Sequence, residues 1–124
     1  MKGAPKIFVV EGDKAKEMFD CPKVLIGLAG TANDICSVNR FLYGGVKTLP
    51  KFRDSTFLML CKEGLFHSTN FEDWVYIDAK AWSIGSGADF ALGALQHGAS
   101  PREAVLHASK FDVFTGYGVK EYSL

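Results

Sequence analysis

Lys23-Val24-Leu25-Ile26-Gly27-Leu28-Ala29 is apolar at consecutive positions, so as a strand it carries apolar side chains on both faces. Such a strand is stable only in the middle of a layered structure, with something packed above it and below it. Gly30 ends the run, and Thr31-Ala32-Asn33-Asp34 has the form of a helix start. Thr31 is a suitable N-cap and Asp34 is the acidic residue three positions on. Ile35, Val38 and Leu42 recur at helical spacing, widened by Ala32 and Cys36, until Gly44-Gly45 stops the helix.

The flanking segments read the same way. Lys6-Ile7-Phe8-Val9-Val10 is an aromatic and β-branched strand that Glu11-Gly12-Asp13 interrupts like a turn. Leu49-Pro50 marks a loop. Ser55–Lys62 and Leu65–Ser68 flank Glu63-Gly64, a hairpin signature. Asp73–Asp78 predicts a further strand with Trp74 and Tyr76 on one face, and Ala81–Ile84 a short one. Two helices follow. Ser86 and Asp89 frame the first, with Phe90, Ala91, Ala94 and Leu95 as its stripe and Gly98 as its stop. Ser100-Pro101-Arg102-Glu103 opens the second, and Ala104, Ala108 and Phe111 line its buried face. Val113–Thr115 and Val119–Tyr122 read as closing strands. Strands and helices segregate, which predicts an α+β domain with helices stacked on antiparallel sheets.

Composition narrows the functional classes. A length of 124 residues fits one domain, and 48% apolar with 23% charged residues is globular. Equal numbers of acidic and basic residues, 14 each, argue against a nucleic-acid backbone binder. The longest mostly apolar stretch, Val24 to Ala32, is half a membrane span, and Ile7–Val10 is too short for a signal-peptide core. A cytoplasmic protein without a membrane partner is the expectation. Cys21, Cys36 and Cys61 are odd in number, widely spaced and contain no CxxC, and His67, His97 and His107 form no HExxH, so neither a disulfide framework nor a zinc site or other cofactor is expected. His97 and His107 could still approach one another in space.

Three features could carry chemistry, each with a structural alternative. Gly85-Ser86-Gly87 before a helix presents free N–H groups to an anion, or is a turn packed beneath a neighbouring strand. Asp112 and Thr115 orient a ligand, or fix a helix-to-strand turn. Lys6 is a desolvated amine, or an edge charge that discourages strand pairing.

Taken together, Leu28-Ala29-Gly30-Thr31-Ala32-Asn33-Asp34, Ser83-Ile84-Gly85-Ser86-Gly87-Ala88-Asp89-Phe90-Ala91, Asp112-Val113-Phe114-Thr115-Gly116 and, more weakly, Lys6-Ile7 resemble the proteasome β-subunit and HslV family of N-terminal-nucleophile hydrolases. The likeness extends to small proteasome-like proteins of bacteriophages. It runs from about Lys6 to Gly118 and is sharpest over 24–36 and 80–118. The resemblance implies a truncated αββα sandwich. By position, Lys6 resembles the Lys that lowers the nucleophile's proton affinity, and Gly30 the residue whose N–H forms the oxyanion hole. Ser86, Asp112 and Thr115 resemble the polar cluster that steadies the terminal amine. The family's nucleophile is an N-terminal Thr on a strand for which this chain, beginning at Met1, has no counterpart. Thr31 follows a Gly as in family precursors, but cutting there would sever strand from helix.

The expectation is therefore a non-catalytic homo-oligomer. A relic pocket of Lys6, Gly30, Thr31, Gly85, Ser86, Gly87, Asp112 and Thr115 would hold a small anionic or nucleotide-like ligand, or a partner peptide. In a phage this could sequester a host factor. The alternative is a threonine-type peptidase subunit whose nucleophile-bearing segment lies upstream.

Overall fold

A computed structural model describes residues 6–52, 54–111 and 121–124, with Lys6 described by its backbone alone. The apolar runs pair into one antiparallel sheet whose strands lie side by side in chain order: β1 (Lys6–Glu11), β2 (Lys23–Ala29), β3 (Thr56–Cys61), β4 (Gly64–Ser68) and β5 (Val75–Ile77). Helix α1 (Gly12–Phe19) joins β1 to β2, and α2 (Ala32–Tyr43) joins β2 to β3. Helices α3 (Ala88–Gln96) and α4 (Pro101–Ser109) follow the sheet. The α+β class is as expected.

The register places Phe8, Ile26, Met59, Phe66 and Tyr76 in one row across all five strands. Since side chains alternate along a strand, this row shares a face with Val10, Val24, Leu28, Phe57 and Cys61. That face is the core. Ala15 of α1 and Val38 and Leu42 of α2 are buried against it, with Met18, Phe19 and Ile35 packed at the margin. Burying each large aliphatic or aromatic side chain contributes about 1.5–3 kcal/mol before the cost of ordering it.

One end of the core is closed by rings. Phe71 is 5% exposed and meets Phe57 edge-on at 5.1 Å and Trp74 at 5.3 Å. Its backbone is left-handed, with φ of 64°, which is uncommon for a bulky residue. The hydroxyl of Ser68 holds it there, accepting the N–H groups of Asn70 and Phe71.

The opposite face of the sheet is also apolar. Ile7, Val9, Leu25, Leu58, Leu60, Leu65, Val75 and Ile77 alternate with the core row. Leu25 in the middle is buried, Val75 at the edge is exposed, and the others are half-buried. None of these joins the main core or the small cluster of Ala91, Ala104 and Ala108 between α3 and α4.

The structure departs from expectation in several places: Gly87 rather than Ser86 is the N-cap of α3, and Ala32, Cys36 and Phe90, expected in apolar stripes, are exposed. Helix α1 extends the chain beyond the turn expected at Gly12, with Ala15 buried and Met18 and Phe19 half-buried along its apolar stripe. The strand expected over Asp73–Asp78 is confined to Val75–Ile77, because Asn70 Oδ1 accepts the N–H of Glu72 and Asp73 and holds Asp73 in a turn. Ala81–Ile84 is not a strand: Ser83 Oγ donates to the Ala88 carbonyl at 2.6 Å and folds the segment onto the next turn. Phe111 is exposed, stacked on Phe90 at 5.2 Å, because the small Ala104 and Ala108 fill the α3–α4 contact. Glu121 and Tyr122 lie in no strand, and the rest of the expected closing strands, 113–120, falls outside the described residues.

Candidate functional site

At one end of the sheet an open cleft lies between the β2–α2 turn and the turn that starts α3. Gly30, Thr31, Gly85 and Ser86 line it together, although the two pairs are far apart in sequence. Gly87 sits behind the surface, buried, as the N-cap of α3. Of the other expected pocket residues, Asp112, Thr115 and the side chain of Lys6 lie outside the described residues. The Lys6 backbone pairs with Leu28, one residue from the cleft lining at Ala29.

The first wall is built by strand termination. Thr31 Oγ1 accepts from the Asp34 N–H at 3.2 Å, so it is the N-cap that the sequence indicates. The Asp34 carboxylate turns inward instead of returning to the cap, and accepts from Ser55 Oγ at 2.5 Å. Both residues are buried. Gly30 packs directly on this pair: a Cβ there would lie 1.8 Å from Ser55 Oγ. The requirement for glycine at position 30 is thus steric.

The second wall is the 85–88 turn. Gly85 has φ of 102°, a conformation that glycine adopts without strain, and its carbonyl accepts from the Ala88 N–H at 3.1 Å. Helix α3 has no side-chain N-cap hydrogen bond, in contrast to α2 and α4. Its first-turn N–H groups give this wall positive potential, moderated by Asp89 in the same turn.

Four further lining residues carry no motif in the sequence: Asp54, Thr56, His67 and Trp82. Trp82 is 40% exposed and Asp54 is exposed, and both line the cleft. Thr56 and His67 were available from strand alternation, since both occupy outward positions of the β3–β4 hairpin. The cleft lining holds one indole ring, several hydroxyls, one carboxylate and one imidazole.

A second depression runs along α3 and α4, and there His97 and His107 do come to line a common surface with Asp89 and Glu103. The His97 ring is bonded through Nδ1 to the Gly93 carbonyl at 2.8 Å, and the His107 ring rests on Phe111. Among the described residues no group of three or more His, Cys, Asp or Glu side chains is placed to hold a metal ion. No described helix is long and apolar enough to cross a membrane. No protein-family model matches this chain, and no curated protein matches it either.

Proposed function

We propose that this chain is a non-catalytic, homo-oligomeric binding protein on a proteasome-like fold, and that its cleft holds a nucleotide-like ligand. The carrying observation is the convergence of the Gly30-Thr31 turn and the Gly85-Ser86 turn on an exposed Trp82. An aromatic ring face gives a base about 1–3 kcal/mol of stacking with little sequence preference. Asp54 accepts from base or ribose donors, and the uncapped start of α3 favours the anionic end. Thr31 and Ser83 already use their hydroxyls within the fold, which suits a binding wall better than a reacting one.

The oligomeric part of the reading is supported by the apolar outer face of the sheet, where only Leu25 is buried among eight aliphatic side chains. The sandwich would be completed by a layer over that face.

The test is titration of the full chain with nucleoside mono- and diphosphates, read by Trp fluorescence and native mass spectrometry. Saturable quenching that Trp82→Ala abolishes is expected, in a complex larger than one chain. A featureless titration together with bare single subunits would overturn the proposal.

A further inference from the structure

Two of the three cysteines are neighbours in the core. Cys21 lies in the short connection from α1 to β2, and Cys61 ends β3. Leu25 pairs with Leu60, so the end of β3 lies beside the start of β2. Both thiols are buried, at 2% and 4% exposure, in the same core cluster. Cys36 stands apart on the surface of α2. We propose that Cys21 and Cys61 form a redox-responsive dithiol that closes to a disulfide and staples the α1–β2 connection to the end of β3.

The oxidant is a low-molecular-weight disulfide such as oxidised glutathione. One cysteine thiolate attacks a sulfur of the oxidant, forms a mixed disulfide and releases one small thiol. The second attacks that mixed disulfide, forms the Cys21–Cys61 bond and releases the other small thiol. The protein loses two electrons and two protons, and the oxidant gains both.

Access decides the rate. Burial, and then the neighbouring Cys61 thiol, push the Cys21 thiol up, so it is a poor nucleophile while the core is closed. Its chain neighbours Asp20 and Pro22 are exposed, and Asp20 already adopts the left-handed conformation that ends α1. Opening of this connection therefore exposes Cys21 first and removes the burial that restrains it. Closure of a long loop reduces the freedom of the unfolded chain, which raises the melting temperature by about 5–10 °C. The ligand cleft, at the opposite end of β3, is left unchanged.

The full chain carrying Cys36→Ser is incubated with oxidised glutathione under native conditions, then mapped by non-reducing peptide mass spectrometry. The expected result is a Cys21–Cys61 linked peptide, a loss of two hydrogens from the intact mass, and a rate independent of protein concentration. A melting shift that reverses with dithiothreitol should accompany it. Recovery of both cysteines as free thiols after unfolding, or as separate glutathione adducts, overturns the proposal. Should the substituted chain not fold, the same mapping of the folded wild-type chain separates these outcomes.

Discussion

Ser55 Oγ donates a 2.5 Å hydrogen bond to Asp34 Oδ2 inside the fold, tying the segment before β3 to the first turn of α2. Gly30 is seated against this pair, so one buried bond fixes both the helix start and the cleft wall. Ser55→Ala leaves a buried carboxylate without that donor and should cost about 1–3 kcal/mol in urea unfolding. The double variant Ser55→Ala with Asp34→Ala should lose clearly less than the sum of the two singles. Additive losses would mean that the bond contributes nothing of its own.

Gly30→Ala should be more damaging than its size suggests. Its Cβ would also fall 2.7 Å from Ser55 Cβ, so the turn or the Ser55 backbone must move, at about 1–3 kcal/mol. Adding Ser55→Gly removes the colliding atoms. Gly30→Ala should therefore lower the melting temperature less in a Ser55→Gly background than in the wild-type chain.

The aromatic end of the core should respond steeply. Phe71→Ala removes a ring in contact with Phe19, Phe41, Phe52, Phe57 and Trp74, and should cost about 3–5 kcal/mol. Ser68→Ala keeps the ring but deprives the Asn70 and Phe71 N–H groups of their acceptor. It should cost less than half as much, measured by the same denaturant titration.

Acid should loosen α4 through its capping box. Ser100 donates its backbone N–H to Glu103, whose own N–H is accepted by the Ser100 hydroxyl; these bonds hold the Glu103 carboxyl below the usual carboxylate range. A depressed carboxyl stabilises the fold fully above its unfolded pKa, near 4.3, and that share disappears as pH falls through the folded value. Protection of the amides at the start of α4, taken relative to their intrinsic exchange rates, should therefore fall below about pH 4. In Glu103→Ala that protection should be low at every pH.

The opposite sign applies at the edge strand. Tyr43 donates its hydroxyl to the Val9 carbonyl at 2.7 Å, and burial, then Glu11, push its phenol up. A raised acid contributes stability that is present below the unfolded value near 10 and lost as pH rises through the folded one. Spectrophotometric titration should show a late component that is missing in Tyr43→Phe, with a small loss of stability below pH 10, about 0.5–1 kcal/mol.

Local patterns were sufficient where the cause of structure is local. The doubly apolar strand at 23–29, the helix from Ala32 with Thr31 as its cap and the capping box at Ser100 follow from residue types and spacing alone, while the hairpin expected at Glu63-Gly64 turns one residue earlier, at Lys62-Glu63, with Gly64 opening β4. The same patterns failed at Ala81–Ile84, where a strand-like composition found no partner strand and Ser83 drew the chain into a turn. They also missed α1, whose stripe is short and begins at a glycine.

The cleft divides along the same line. Two glycine turns were visible as motifs, but residue order could not reveal that they face each other across the end of β2. Nor could it foresee that Asp54 and Trp82 complete the wall. The opening strand shows the point most clearly. Its sequence determined that both faces of β2 are apolar, while only the sheet register decided which face receives the helices. Alternation along a strand is a property of the backbone, but the choice of covering layer depends on contacts distant in sequence.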